Sequence, residues 1–409
     1  MTQDTSPAKP QSLREKLRRN IPLNYLFTFL MEFGLARGIW MLYLAAKGLS
    51  LFQIGLMETV FHVTSFLMEV PTGVVADLYG RKVSRALGRA ADVVSTALIL
   101  LSHNFTGIAI GFIFSALSYN LESGAGEALV FDSMKQLGEE DRFIGVRGRT
   151  EMIYQGVSVI SLLIGGYIAT LNFDRVYQAS LVISLLALAS ALTFTEPTIV
   201  GQEHSGNVFK LMWKQFTDSL SVIRGSRKVM ALIVLSELVG VFSTTLFFYI
   251  QNYYKSQGLN EFQIGVILAV GGVLAALSAS QASRVKRLGK LRMLITALSL
   301  AMVVCFWGVL AGRSGAIFFA LLGALYSIIW ILIGDAIHQL IPSEQRATII
   351  SMQSMLFSLL MILLFPAVGK LGDLYGLRQA FVFVALSATL ALGGFITAIN
   401  IVSRRSNTA

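Results

Sequence analysis

The sequence predicts an all-α membrane protein of twelve transmembrane helices, built as two parallel six-helix repeats with both termini in the cytoplasm. The 409-residue chain is 55% hydrophobic and only 14% charged, which is too little charge to cover a soluble protein of this length. Its apolar residues gather in stretches of about 20, the length of helix that crosses a bilayer. In addition, segments of the first half of the chain recur in the second half.

The apolar stretches define the predicted spans and, between them, the domain organisation. The twelve spans lie near 22–46, 52–78, 83–102, 106–134, 145–170, 176–195, 229–254, 262–282, 291–311, 315–340, 347–370 and 379–402. The chain then divides into a cytoplasmic tail (1–20), a six-helix bundle (21–195), a cytoplasmic linker (196–228), a second six-helix bundle (229–403) and a tail (404–409). Apolar residues at near-helical spacing predict an amphipathic helix within the linker, with a plain solvated segment as the alternative.

Lysine and arginine set the predicted orientation. They concentrate in one set of connections, at 14–19, 81–85, 135–149, 210–228, 284–292, 346 and 404–405. Because basic residues remain on the cytoplasmic side, this set is predicted to be cytoplasmic and the protein to be a multi-pass protein of the cell inner membrane. The net charge of +10 is spread over these short clusters, so we expect no nucleic-acid partner.

The internal repeat is clearest where the second and eighth spans begin. Residues 48–55 (GLSLFQIG) and 258–265 (GLNEFQIG) agree at six of eight positions, and Ser50 and Asn260 are good helix N-caps. Asp132 and Asp335 end the fourth and tenth spans and are interpreted as matching parts of the repeat. Six spans is an even number, so the halves are parallel, and a substrate site is expected at their interface near mid-membrane.

A glycine-rich basic loop follows the second span. It consists of Gly73, two valines, an alanine, Asp77, Leu-Tyr, Gly80, Arg81 and Lys82. Glycine at the first position lets another helix approach closely, and Gly80 provides a tight turn. The aspartate can face a helix N-terminus or an arginine, and the two bases hold the loop inside the cell.

This loop resembles the cytoplasmic signature of the major facilitator superfamily, and with the twelve-span count the resemblance covers the chain from about residue 20. It implies that the loop latches the two halves together in the outward-facing state. Segments 66–77 and 123–129 look like those of bacterial efflux members. The resemblance further implies a secondary active transporter that works by alternating access, as a monomer without a cofactor, driven by the proton gradient.

Some positions depart from that pattern. Many proton-coupled members have an arginine in the fourth span where this chain has Asn120, and Glu127 replaces a small residue. The fifth span lacks the proline typical of many drug antiporters. A second stretch, 369–376, has a similar pattern of glycines and aspartate, but it lies at the outer side and we predict no latch role for it.

Ionisable residues inside the spans are candidates for function because charge is costly within a bilayer. In the second span Glu58, His62, Ser65 and Glu69 share one helical stripe, which is predicted to face a water-filled cavity. The further candidates for proton coupling or substrate binding are Glu32, Arg37, Glu122, Glu127 and Glu237. Alternatively, Glu32 and Arg37 form a simple neutralising pair, and His62 is a packing residue.

Acids outnumber bases in this set, which favours proton-coupled efflux of a drug-like or cationic amphiphilic compound. Uptake of a metabolite by proton symport is the alternative within the same class. A membrane-embedded enzyme and a non-transporting receptor are the alternatives from other classes. The four histidines are scattered and the chain has one cysteine, so neither a metal site nor enzyme activity is expected.

Overall fold

The computed structural model describes residues 11–198, 227–341 and 346–406, and the regular structure within them is helical. The helices are α1 (Gln11–Glu32), α2 (Trp40–Ala46), α3 (Leu51–Tyr79), α4 (Arg81–Leu101), α5 (Phe105–Glu122), α6 (Ala125–Leu137), α7 (Phe143–Leu171), α8 (Phe173–Thr193), α9 (Arg227–Ser256), α10 (Glu261–Lys286), α11 (Leu291–Gly308), α12 (Gly315–Leu340), α13 (Arg346–Tyr375) and α14 (Leu377–Ser406). Short 3₁₀ turns occupy Glu140–Arg142 and Gly312–Ser314. The linker helix predicted within 196–228 lies outside the described residues.

Ten segments of the described chain are helical, long enough and apolar enough to cross a membrane. They are Leu51–Tyr79, Phe105–Leu137, Glu140–Leu171, Phe173–Leu192, Lys228–Ser256, Glu261–Lys286, Leu291–Gly308, Gly312–Leu340, Met352–Tyr375 and Leu377–Ile396. The predicted all-α membrane class is therefore confirmed. The count of twelve spans and the cytoplasmic placement of the termini stay predictions.

The first and third predicted spans are the two that differ from these ten. Helix α1 begins inside the segment predicted to be a tail and ends at Glu32, and only the short α2 follows it within the predicted span 22–46. Helix α4 matches the predicted span 83–102 in position, but it carries Arg85, Arg89 and Asp92. Charge lowers the mean hydropathy of α4, and buried partners in the protein compensate for it, as described below.

The repeat seen in the sequence recurs in the geometry of two helix starts. Ser50 Oγ accepts from the backbone amide of Gln53 at 3.2 Å, and the Gln53 side chain accepts from the Ser50 amide at 3.0 Å. At the start of α10, Asn260 and Gln263 make the same reciprocal pair at 2.9 and 3.0 Å. These are two capping boxes, so the N-cap prediction is confirmed at both positions.

The first half (α1–α8) packs on the second half (α9–α14) mainly through two helix pairs, α3 with α13 and α7 with α10, and to a smaller extent through α2 with α9. Glycines bring the first pair into backbone contact. A Cβ on Gly55 would lie 2.6 Å from Cα of Pro366, and one on Gly369 would collide with the carbonyl oxygen of Leu51. Thr59 adds a hydrogen bond of 3.4 Å to the carbonyl of Ile362.

These contacts lie at one end of the molecule. They involve the beginning of α3 and the end of α13, which the charge pattern predicts to be periplasmic; we call this the outer end. The end with the basic loops is the inner end. In the second pair, Gly165 and Gly166 at the end of α7 meet Leu35 and the start of α10 at Glu261, again at the outer end. The two halves are thus joined at the outer end by closely packed backbones.

Candidate functional site

Glu58 and His62 lie in the contact between the two halves. Four residues apart on α3, they bring Glu58 Oε2 to 3.6 Å from His62 Nε2. The other ring nitrogen of His62 lies 3.2 Å from Ser358 Oγ on α13, and the ring packs against Phe357. Both titratable side chains are buried. In this structure, therefore, the outer part of the predicted stripe packs against α13.

The inner part of the same stripe is tied to α5. Ser65 Oγ donates to Asn120 Oδ1, and Asn120 Nδ2 donates to the carbonyl of Ser65, both at 2.7 Å. Glu69, one turn further along α3, is half-buried. Asn120 occupies the position at which many proton-coupled members of the superfamily that the sequence resembles have an arginine. Its amide supplies both a donor and an acceptor to α3, a role that an arginine, which only donates, does not fill.

In the second half, Glu237 is a buried acid in the middle part of α9. Its Oε1 accepts from Gln353 Nε2 of α13 at 3.0 Å. One turn along α9, Gly240 leaves room for two aromatic groups: a Cβ there would lie 3.4 Å from the Tyr326 hydroxyl and 3.5 Å from the Phe357 ring. Glu237 therefore lies beside aromatic side chains of α12 and α13. The sequence did not indicate that these residues are neighbours of Glu237, although Gln353 is a polar residue in an apolar span.

A row of aromatic rings connects the two acidic sites across the interface. Tyr119 of α5 contacts Phe61 at a centroid distance of 5.9 Å, and Phe61 contacts His62 at 5.3 Å. The His62 ring lies 5.7 Å from Phe357, which belongs to the surroundings of Gly240. Residues from both halves thus form one continuous polar and aromatic site, which we call the central site: Glu58, Phe61, His62, Tyr119, Glu237, Tyr326, Gln353 and Phe357.

Glu32 and Arg37 form an ion pair at the break between α1 and α2. Arg37 Nη2 lies 2.8 Å from Glu32 Oε2, and Arg37 Nη1 donates to Ser158 Oγ of α7 at 2.8 Å. Gln251 of α9 donates to the backbone carbonyl of Arg37 at 3.4 Å. The acid is buried and the base is partly exposed. This geometry supports the interpretation of the two residues as a neutralising pair.

A cavity of about 170 Å³ lies within the first half, among α1, α4 and α8. Its polar lining includes Arg37, Arg89, Asp92 and Ser180. Arg89 is buried, donates to Ser118 Oγ at 2.8 Å and lies 3.6 Å from Asp92. The Nε of Arg89 and the hydroxyl of Ser180 have no hydrogen-bond partner among the described residues. Arg89 and Asp92 of α4 thus have polar partners in each other, in Ser118 and in Ser184.

Two of the predicted cavity acids have other surroundings. Glu122 is paired with Arg85 at 3.0 Å within the first half. Glu127 follows the helix break at Gly124, is more than half exposed, and pairs with Arg147 at 3.3 Å. Neither residue joins the central site in this structure, and their assignment to the coupling or substrate cavity stays a prediction. The break between α5 and α6 turns Glu127 away from the line of α5.

The signature loop connects α3 to α4. Gly80 has a φ of +98°, a left-handed conformation that glycine adopts without strain, as predicted for this turn. The carboxylate of Glu196, just after α8, accepts from the backbone amides of Arg81 at 2.8 Å and Lys82 at 2.7 Å. An acid from another part of the chain therefore caps the N-terminus of α4. Glu196 was missed because its contact is distant in sequence.

The two halves carry equivalent ion pairs near the inner end. Arg81 Nε donates to Asp132 Oδ2 at 3.1 Å, and Lys286 Nζ lies 2.5 Å from Asp335 Oδ2. The two aspartates therefore correspond in their contacts as well as in their positions. Asp132 pairs with a base at the start of α4, and Asp335 pairs with a base at the end of α10. A Cβ on Gly73 would have no described atom within 4 Å. The predicted latch between Asp77 and the second half stays a prediction.

Comparisons with known proteins agree with this architecture. The sequence profile of the Major Facilitator Superfamily matches residues 23–360. The uncharacterized MFS-type transporter YxaM of Bacillus subtilis (strain 168) is 27% identical over 373 residues, which are 89% of this chain and 92% of that protein.

Among solved structures, the nucleoside transporter NupG has a TM-score of 0.72 at 11% identity, over 95% of this chain and 99% of that chain. The D-xylose-proton symporter has a TM-score of 0.67 at 10% identity, over 92% and 97%. The structural likeness shows the fold alone, whereas the profile match extends over most of the chain.

Proposed function

We propose a direction, a substrate class and a driving force for this chain, which belongs to the Major Facilitator Superfamily and is a multi-pass membrane transporter. The proposed function is export of a small cationic amphiphile across the inner membrane, in exchange for protons, by alternating access. The protein acts as a monomer and needs no cofactor besides the proton gradient. The observation that carries this proposal is Glu237, a buried acid of the central site, one turn from the place where Gly240 adjoins Tyr326 and Phe357.

The substrate class follows from the chemistry around Glu237. Its carboxyl has one described side-chain partner from another helix, Gln353, and that partner is neutral. A carboxylate at membrane depth is costly unless a cation or a proton neutralises it. Tyr326 and Phe357 offer aromatic faces beside it, and such faces attract organic cations. A flat or branched apolar cation therefore suits both features.

The coupling step is assigned to Glu58 and His62. Closing α3 on α13 takes both side chains out of water, and proton binding to the Glu58 carboxyl lowers the cost of that closure. Opening the outer end exposes the pair to the periplasm. Because the pair lies in the contact that must open and close, its protonation state is linked to the conformational change. Phe357 connects this pair to the surroundings of Glu237.

Proton-driven uptake of a metabolite is the second candidate. Its support is the fold shared with the D-xylose-proton symporter and with NupG, a nucleoside transporter. The same two acids serve symport if the proton and the substrate bind in the same conformation. Direction of transport separates the two candidates.

The test uses inverted membrane vesicles, whose interior becomes acidic during respiration. Export by antiport drives a cationic dye such as ethidium into these vesicles, and an uncoupler abolishes the uptake. Glu237→Gln keeps the hydrogen bond to Gln353 but removes the charge, and it should lower dye uptake about ten-fold, the change that corresponds to about 1.4 kcal/mol. Glu127→Gln, a surface acid outside the central site, is the matched control.

Unchanged dye uptake in Glu237→Gln would refute the substrate assignment. Uptake that persists in the presence of the uncoupler would refute proton exchange. Accumulation of sugars or nucleosides in right-side-out vesicles, with no dye movement in inverted ones, would favour the symport alternative.

A further inference from the structure

Asp373 joins the second half directly to the first residues of α3. Its Oδ1 accepts from the backbone amide of Leu51, and its Oδ2 accepts from that of Phe52, both at 2.9 Å. These amides belong to the first turn of α3, where backbone donors have no partner within the helix. The carboxylate therefore caps α3 from the end of α13, in the other half of the molecule. Its charge also suits the positive end of the helix dipole.

The sequence around Asp373 repeats that of the signature loop. Residues 373–376 and 77–80 have the same four letters, DLYG, and a glycine lies four residues before each aspartate. Each copy ends a long helix, α13 or α3. The final glycines, Gly376 and Gly80, have φ angles of +87° and +98°. We predicted no latch role for the copy at 369–376, and the contact made by Asp373 is the observation that argues for one.

We propose that Asp373 is a positioning residue for transport: it is the latch of the outer gate, made when the outer end is closed and broken when it opens. This inference rests on the alternating access of the proposed function. The helix pair α3 and α13 then carries a latch aspartate at each of its ends. The resemblance gives Asp77 the inner role in the outward-facing state, and Asp373 has the equivalent role in the opposite state.

The surroundings of Asp373 support a contact that depends on close approach of the halves. One turn earlier, Gly369 allows α13 to reach the carbonyl of Leu51, which a Cβ would prevent. The hydroxyl of Tyr249 on α9 donates to the carbonyl of Phe365 at 2.8 Å and lies 3.4 Å from the same carbonyl of Leu51. Lys370 lies 5.4 Å above the ring of Phe52 and is the base near this contact. A small separation of the second half from α3 would break all of these contacts together.

An ordinary helix cap would stabilise α3 in every conformation. A latch stabilises only the state in which the two halves touch. The distinction is measurable, because removing a latch changes the ratio of the two states, whereas removing an ordinary cap lowers stability and leaves that ratio unchanged.

The experiment measures distances between spin labels in the full chain, in liposomes. Cys305→Ser removes the single native cysteine. The outer pair of labels is placed at Leu171 and Arg378, and the inner pair at Ile144 and Leu288, all exposed positions on opposite halves. Wild-type protein is measured at several pH values, with and without ethidium, to obtain the two populations.

Two variants remove the contact from its two sides. Asp373→Asn removes the charge and one acceptor. Leu51→Pro removes an amide donor and is compatible with the fold, because proline is accepted at the first helical position and Ser50 is extended. The control is Asp174→Asn, an outer-end acid at the start of α8 that accepts a hydrogen bond from Tyr43 within the first half.

Both variants should shift the ratio of closed to open outer ends by about 5- to 30-fold toward open, the range expected for loss of a charged helix cap. The outer distance should lengthen while the inner distance shortens, a reciprocal change that simple unfolding does not produce. Asp174→Asn should leave the ratio at its wild-type value.

The outcomes separate the latch from the proposed function. A wild type that alternates between two states, with both variants at the wild-type ratio, overturns the latch alone. A wild type with one fixed distance for each label pair under all conditions overturns alternating access, and the latch with it.

Discussion

Arg85 donates a hydrogen bond to Glu122 over 3.0 Å, and its guanidinium lies against the rings of Phe27 and Phe194, 4.0 and 4.6 Å from their centroids. A third contact, to Asn24 at 3.2 Å, completes the surroundings of this fully buried base. The arrangement explains why an acid in an apolar span is not part of the central site. Glu122 neutralises the charge of Arg85, which is buried within the first half.

Glu122→Gln should destabilise the protein by about 3 kcal/mol or more, because it leaves a buried guanidinium without a counter-ion. Thermal unfolding in detergent measures the loss. The control, Glu127→Gln, removes an exposed pair and should cost less than about 1 kcal/mol. A double variant, Arg85→Met with Glu122→Met, should recover most of the stability, since apolar side chains of similar size replace buried ion pairs well. Equal stability of Glu122→Gln and Glu127→Gln would contradict this account.

Glu196→Ala should loosen the beginning of α4, because the amides of Arg81 and Lys82 lose their acceptor. The loss of a helix cap costs about 1–2 kcal/mol. Hydrogen exchange followed by mass spectrometry should show faster exchange in the first turn of α4, while α8 keeps its protection. Glu196→Gln retains one acceptor oxygen and should give an intermediate rate. Unaltered exchange in both variants would show that other groups satisfy these amides.

Glu139 is predicted to make stability depend on pH near the inner end. Its hydrogen bond from Arg18, with the charges of Arg18 and Arg142, lowers the pKa of this loop carboxyl below its ordinary value of 4.5. A lowered folded-state pKa contributes stability above the unfolded-state pKa and loses it as pH falls through the folded-state pKa. The stability difference between wild type and Glu139→Gln should therefore be present at pH 7 and vanish below pH 4.5.

Salt provides the check on this prediction, because Arg18 is exposed and its interaction with Glu139 is screened by ions. The difference at pH 7 should shrink as the salt concentration rises. A difference that grows on acidification would have the opposite sign and would exclude this origin.

Gly55→Val should hinder closure of the outer end. A Cβ at this position would lie 2.6 Å from Cα of Pro366. A backbone atom cannot move aside as the end of a flexible side chain can. We expect loss of transport with normal insertion in the membrane, and a longer distance between outer-end spin labels. Gly393→Val is the comparison, since a Cβ there would have no described atom within 4 Å. Transport at the wild-type level in Gly55→Val would show that the outer ends close without this contact.

Local features were predictable from the sequence where neighbouring residues determine them. The capping boxes at Ser50 and Asn260 need only a polar residue and a glutamine three positions later. The left-handed turn at Gly80 likewise follows from a glycine between two helices. The matching places of Asp132 and Asp335 were also visible, as a repeat, although their basic partners were not.

Assignments that depend on distant contacts were less accurate. Glu122 and Glu58 are both acids in apolar spans, and the sequence offered no means of telling them apart. The structure pairs Glu122 with Arg85 and buries Glu58 against α13. The stretch containing Asp373 was predicted to have no latch role because it lies at the outer side. In the structure, the Asp373 carboxylate accepts a hydrogen bond from the backbone amide of Leu51 at the start of α3.

The sequence by itself determined that this chain is an all-helical membrane protein with a duplicated half and a superfamily signature loop. Those conclusions rest on composition, apolar length and the spacing of glycines and charges, which are properties of continuous segments. Only the tertiary structure decided which buried charges neutralise one another, which acids belong to the central site, and that Asp373 of one half caps α3 of the other. The physical reason is that the free energy of a charge at membrane depth depends on the partners within a few ångströms. Those partners come from helices far apart in the chain.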